Sequence, residues 1–243
     1  MNRDRVAKQR FNIILLVDTS RSMLGSRIDQ VNQAISDISK YLKDMQIENT
    51  NVDFYISILT FATEAKWVSN QKETYIDNFK FDEIKAFGQS NLHLAYHELN
   101  DVLRKESQGG MMPDFGGVAP VILLLTDGHP SKGNLKEELE LLRSKPWFKV
   151  ALKYGVAIEL NDDKTIKVLK DFVSGNGDVI QVYNSNLLNK IIKIIVMTAS
   201  KVKSTSNSVH NTKYQSVTNQ VQQEIQEALA DIEDWEWQDG FFI

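Results

Sequence analysis

The sequence predicts an α/β fold, a doubly wound and mainly parallel sheet flanked by helices on both faces, and three observations carry that expectation. Three runs, "FNIILLVD", "DFYISILTF" and "PVILLLTD", are apolar almost throughout and lack the polar alternation of a sheet with one wet face. Between and after them stand stretches whose apolar residues recur every three or four positions, the spacing of one helix face. Strand and helix then alternate from residue 11 to about 203, as in a parallel sheet joined by right-handed crossovers.

Taken in order, the first strand runs from Phe11 to Asp18 and is followed by a helix that presents Ile28, Val31, Ile35, Ile38 and Leu42 on one side. The second strand ends at Phe61, and "EAKWVS" reads as a short further strand. Leu92, Ala95, Tyr96, Leu99 and Leu103 define the next helix, which leads to the strand "PVILLLTD". Leu135, Leu139 and Leu142 mark a third helix before the apolar stretch Val150 to Ile158. "DKTIKVLKDFV", the strand "GDVIQVYN" and the helix "NSNLLNKIIKIIVMTASKV" complete the series, and no internal repeat is visible.

A chain of 243 residues that is 42% hydrophobic can bury one sizeable core. The expected division is a lead-in over 1–10, one domain over 11–203, a polar linker over 204–220 and a tail over 221–243. A net charge of −4 excludes the global basic field of non-specific nucleic-acid binders. With no cysteine there is no disulfide, thiolate nucleophile or Cys-based zinc site, as fits a reducing compartment. The start "MNRDRVAKQRF" has no apolar segment of a secretion signal, and the greasiest helix is interrupted by Lys190 and Lys193, so the expectation is a soluble, cytoplasmic protein with no membrane partner.

In a doubly wound sheet, function collects at the carboxyl ends of the strands near the switch in strand order. Three polar clusters fall there: Asp18, Ser20 and Ser22 after the first strand, Ser90 in "FGQSNLHLA" ahead of a helix, and Thr126 and Asp127 in "LLLTDGHP". Two carboxylates and three serine hydroxyls are hard oxygen donors, poorly matched to zinc or copper and well matched to a six-coordinate Mg²⁺ or Mn²⁺ that keeps some water. Asp18 alone reads as a helix cap or turn residue, a reading that weakens once the other oxygens stand beside it.

"DTSRS" resembles the D-x-S-x-S metal-ion-dependent adhesion site (MIDAS) of von Willebrand factor A (VWA) domains, and "LLLTDGHP" resembles that family's second acidic element. The family's threonine, usually in a Gly-Gly-Thr context, falls on Ser90 in "GQSN", where serine keeps the oxygen but loses the methyl that restricts its rotamers. The resemblance covers residues 11 to about 203 and is greatest to the bacterial intracellular branch that includes the TerY tellurite-resistance proteins. It implies a Rossmann-like VWA fold, direct metal binding by Ser20 and Ser22, and Asp18, Asp127 and Ser90 acting directly or through water. Mg²⁺ is the ion expected first, with Mn²⁺ or Ca²⁺ as alternatives. In the family an Asp or Glu of a protein partner completes the metal, so the resemblance implies a non-enzymatic adaptor or scaffold. Kinases, PP2C-type phosphatases and stress-response machinery are the partners it suggests.

Other chemistries fit less well. A haloacid-dehalogenase-type phosphatase needs a second acid two residues after the first, where Ser20 stands. "GHPSKGN" lacks the Lys followed by Ser or Thr of a phosphate loop. His93 and His97 lie one helical turn apart, but Glu98 is misplaced for metalloprotease chemistry, and one solvated and one packed histidine is the simpler reading. His129 reads as a loop residue, with the rim of the metal site as its alternative. A metal-dependent hydrolase and a vestigial site with binding through the tail remain as competing functions.

Residues 221–243 hold seven acids and neither Lys nor Arg, so an acidic, aromatic tail follows a mildly basic body. Val221, Ile225, Ala228 and Ile232 are spaced for an amphipathic helix, and Trp235, Trp237, Phe241 and Phe242 are costly to leave in water. The tail therefore folds back on the domain, binds a partner as a peptide, or stays an unstructured end. A tail carboxylate such as Glu236 or Asp239 is a further candidate for the metal's open position.

Overall fold

The computed structural model describes residues 8–49, 51–68, 72–115, 117–128, 130, 133–160, 162–175, 177–201 and 219–227. Its strands are β1 (Gln9–Asp18), β2 (Val52–Phe61), β3 (Ala65–Trp67), β4 (Thr74–Tyr75), β5 (Val121–Thr126), β6 (Leu152–Ile158) and β7 (Gly177–Val182). Its helices are α1 (Ser26–Glu48), α2 (Leu92–Val102), α3 (Leu135–Ser144), α4 (Pro146–Val150), α5 (Asp163–Val173) and α6 (Ser185–Lys201), with a further helix, α7, over residues 219–227. The strands form one sheet in the order β3-β2-β1-β5-β6-β7, with β4 also on β2. All pairings are parallel except those of β3 and β4, which run antiparallel to β2 at the edge.

The apolar runs are strands because both faces of the sheet are covered. Ile13, Leu15 and Val17 join the core beneath α1 and α6, whereas Ile14 and Leu16 join the core beneath α2, α3 and α5. All five are fully buried, which is why period-two polarity is missing from β1. The helices carry their predicted stripes inward: Val31, Ile35 and Leu42 of α1 and Ala95, Tyr96 and Leu99 of α2 are fully buried. Tyr96 stacks on Phe172 of α5 with ring centroids 5.6 Å apart and planes 10° from parallel. Asp162 starts α5 by accepting the Thr165 amide at 2.8 Å on its carboxylate.

Two elements lie outside the expected series, the two-residue edge strand β4 and the short helix α4. The stretch read as a strand from Val150 begins instead with α4, started by Pro146 at its first turn, and β6 opens only at Leu152. Lys153 sits inside that strand, 1% exposed, with Nζ donating to the carbonyls of Phe148 at 3.0 Å and Ala151 at 3.1 Å. The ammonium thus caps the end of α4 from within the sheet and lies 4.8 Å from the Phe148 ring centre.

Gly155 of β6 is where α5 comes closest to the sheet: a Cβ there would fall 2.8 Å from Leu169 Cβ. Gly155→Ala is therefore expected to push α5 off the sheet and to cost about 1–3 kcal/mol of stability, read from denaturant midpoints.

The tail returns to the domain at its start. Val221 and Ile225 are buried in the core on the α1 and α6 side, and Gln222 Nε2 donates to Asp178 Oδ2 of β7 at 3.0 Å. The helix begins at residue 219, two residues inside the stretch read as linker. Residues 202–218 and 228–243, which include Ala228, Ile232, the four aromatic residues of the tail, Glu236 and Asp239, lie outside the described residues, as does His129. Among the described residues no helix is long and apolar enough to cross a membrane.

Candidate metal centre

The chain leaves β1 toward β2 on one side and later reaches β5 on the other, so the strand order reverses between β1 and β5. The last pair in their register is Val17 with Leu125, and the next residues, Asp18 and Thr126, stand at the carboxyl ends over this crevice. Three loops meet there. The loop after β1 is held by Thr19, whose amide donates to the Phe61 carbonyl at 2.9 Å. The loop before α2 is laced to it, since the Phe87 amide donates to the Thr19 carbonyl at 2.7 Å and the Arg21 amide to the Gly88 carbonyl at 3.0 Å. Gly88 has a φ of 82°, and a Cβ there would meet Thr63 Oγ1 at 2.4 Å, so glycine suits this loop's close approach to the turn between β2 and β3.

All five predicted ligands come together. Asp18, fully buried, accepts the Ser20 amide on Oδ1 at 2.8 Å and, on Oδ2, the hydroxyls of Ser90 at 2.9 Å and Thr126 at 2.7 Å. Ser20 Oγ and Ser22 Oγ lie 3.1 Å apart, and the Ser22 hydroxyl donates to Asp127 Oδ1 at 2.8 Å. An unbroken cluster of oxygens thus spans the ends of β1 and β5. Burial pushes the Asp18 carboxyl above the usual carboxylate range, and the bonds from Thr126, Ser20 and Ser90 pull it part of the way back.

Three residues of this site were not among the expected ligands. Thr126 binds Asp18, and its position next to Asp127 at a strand end was the available signal. Arg27 Nη1, near the start of α1, donates to Asp127 Oδ2 at 2.6 Å and to the Ser22 carbonyl at 3.1 Å. Its Nε donates to Glu159 Oε2 at 3.2 Å, and Gln30 Nε2 and Ser26 Oγ also donate to Glu159. Glu159 follows β6 as Asp18 ends β1, with an acid closing an apolar run, and that parallel was legible in "VAIEL".

The histidines do not share a metal. His97 is exposed with Nδ1 3.3 Å from Glu138 Oε1, while the His93 ring packs against Gly133. Among the described residues no three His, Asp or Glu side chains gather as a metal-binding group, so any ion here would depend on hydroxyl donors.

The donor set fits a small hard cation. Two oxygens bound at about 2.1 Å and at right angles in an octahedron lie about 3 Å apart, and the two serine oxygens are 3.1 Å apart.

The family model for the von Willebrand factor type A domain matches residues 12–195. The chain belongs to that family. Half of this VWA chain is 27% identical over 128 residues to inter-alpha-trypsin inhibitor heavy chain 4 of Mus musculus, and an equal share is 26% identical over 127 residues to inter-alpha-trypsin inhibitor heavy chain H1 of Sus scrofa. The chain spans only 12% and 13% of the length of those two relatives. Among solved structures, a von Willebrand factor type A protein from Catenulispora acidiphila superposes with a TM-score of 0.57 at 12% identity, covering 79% of this chain and 43% of that one. The vWF domain of the type V pili tip protein Mfa5 from Porphyromonas gingivalis gives a TM-score of 0.51 at 10% identity, over 84% of this chain and 99% of that one. At such identities these likenesses establish the VWA fold alone.

Proposed function

We propose that this VWA domain is a metal-dependent protein-binding module, an adaptor or scaffold and not an enzyme, that captures an acidic residue of a protein partner. The observation that carries this is the paired hydroxyls of Ser20 and Ser22, one of them bonded to Asp127, set beside the fully buried carboxylate of Asp18. Ser20 and Ser22 would hold a divalent cation, Mg²⁺ first, with Asp18, Asp127 and Ser90 acting directly or through water. Such an ion supplies a position of positive charge that an outside Asp or Glu can fill.

The chain's own residues prepare that position. Asp18 is fixed by three donors, so its charge is held without reorganisation. Ser90, 8% exposed, donates its hydroxyl to Asp18 although it lacks the methyl of threonine. The likeness to the TerY branch and the absence of cysteine support action inside a bacterial cell, with a kinase or a PP2C-type phosphatase as a candidate partner.

Calorimetric titration of Mg²⁺ and Mn²⁺ into the wild type and Ser90→Ala tests this reading, beside hydrolysis of a generic phosphoester. The expected result is chelator-reversible binding of one ion, weakened several-fold in Ser90→Ala, with phosphoester turnover no higher than in Asp18→Ala. Ion-dependent turnover above that control would favour a hydrolase.

A further inference from the structure

Arg27 is an unusual neighbour for a cation site. Its guanidinium sits on Asp127 Oδ2 at 2.6 Å, while Asp127 Oδ1 takes the Ser22 hydroxyl. The Asp127 side chain has no exposed area, so the guanidinium and any ion held at Ser22 compete for one buried carboxylate. A positive charge so placed weakens cation binding unless another group balances it.

Glu159 supplies the balance. Its Oε2 takes Arg27 Nε at 3.2 Å, and its Oε1 takes Gln30 Nε2 and Ser26 Oγ. It is also the only non-glycine among the described residues with positive φ, 48°, and its amide donates to the Val182 carbonyl at 2.7 Å. A glutamate in the left-handed region costs about 1 kcal/mol or more, and such strain persists where the surroundings hold it in place. Here it places a carboxylate on the far side of the guanidinium from Asp127.

We propose that Arg27 and Glu159 form a charge-neutral pair that sets the ion affinity of the site: Arg27 lowers the pull of Asp127 on the cation, and Glu159 restores part of it. The inference rests on the metal-site reading above. It makes Arg27 and Glu159 positioning residues that touch neither cation nor partner and that act through Asp127. It also assigns opposite signs to two contacts in one hydrogen-bonded chain, which a merely structural role does not.

The test is calorimetric titration of Mg²⁺ into the wild type, Arg27→Gln, Arg27→Lys, Glu159→Gln and the double variant Arg27→Gln/Glu159→Gln, with Asp18→Ala as the site control. Folding of each variant is checked by thermal unfolding in chelator. Arg27→Gln is expected to tighten Mg²⁺ binding about tenfold, Glu159→Gln to weaken it about tenfold, and the double variant to return within about threefold of the wild type. Arg27→Lys keeps the charge and should stay near the wild type. If Arg27→Gln binds no tighter, or if both single variants lose affinity together, the charge-pair proposal is overturned while the metal site stands on its loss in Asp18→Ala. If Arg27→Gln does not fold, Glu159→Gln decides alone, and unchanged or tighter binding there overturns the proposal. If neither the wild type nor Arg27→Gln binds Mg²⁺, the metal reading and this proposal fall together.

Discussion

Asp18→Asn is expected to abolish Mg²⁺ and Mn²⁺ binding and, with chelator present, to lower the unfolding free energy by about 1–3 kcal/mol. The side chain changes by one atom, but every group around it is arranged for a carboxylate. Oδ1 faces the Ser20 amide and Oδ2 faces the hydroxyls of Ser90 and Thr126. Whichever way an asparagine turns, its NH₂ group meets a donor. Facing Ser20 N it leaves that buried amide unpaired; facing the other side it forces both hydroxyls to rotate away from their present partner. Part of the cost is returned, because the buried carboxylate already bears a desolvation penalty that raises its pKa. Calorimetry measures the first effect and urea titration in chelator the second. Ion binding unchanged from the wild type would remove Asp18 from the site.

The second large effect belongs to Lys153, far from the crevice. Burial pushes its ammonium down to about 8 from an ordinary 10.5. Below pH 8 both the folded and the unfolded chain hold the proton, and the folded state carries the full penalty of a buried charge. Between 8 and 10.5 the unfolded chain binds more protons, so stability rises with pH through that window, by up to about 3 kcal/mol. The buried hydroxyls of Tyr96 and Tyr154 have raised pKa values and contribute the opposite slope, but only as pH passes the ordinary tyrosine value of 10.0. Urea midpoints measured from pH 7.5 to 9, below the onset of tyrosine ionisation, should therefore climb in the wild type and stay level in Lys153→Met. A flat wild-type profile would show that water reaches the ammonium.

Most of the fold was legible because its signals are strong. Strands buried on both faces announce themselves as apolar runs, and Ile28 through Leu42 could form only one kind of stripe. The missed elements are those that local pattern barely encodes. β4 is two residues fixed by pairing with Tyr55 and Ile56 at a sheet edge, and α4 is a single turn set by Pro146. The start of β6 was misread because Val150 and Ala151 continue the apolar run, yet Val150 closes α4 and the strand opens only at Leu152.

At the site, the five candidate residues stood out because each follows a strand or precedes a helix over one crevice. Arg27 and Glu159 did not, since a charge at the start of a helix and an acid after a strand are ordinary surface features until the fold brings them together. Ser90 shows the reverse: its type departed from the family pattern, yet its hydroxyl reaches Asp18 all the same.

The crevice between β1 and β5 also has a consequence for how the chain acquires its shape. Asp18 is 72 residues from Ser90 and 108 from Thr126 along the sequence, yet it bonds to both. No hairpin or local helix pair can bring these groups together; the chain must first close two long loops and seat β5 beside β1. Assembly of the oxygens is thus among the late events of folding, and a refolding chain should acquire helical circular dichroism well before its Asp18 neighbourhood becomes resistant to hydrogen exchange. A half-made chain released from the ribosome before β5 has only part of the set, so the native arrangement of these oxygens is a mark of a completely folded molecule.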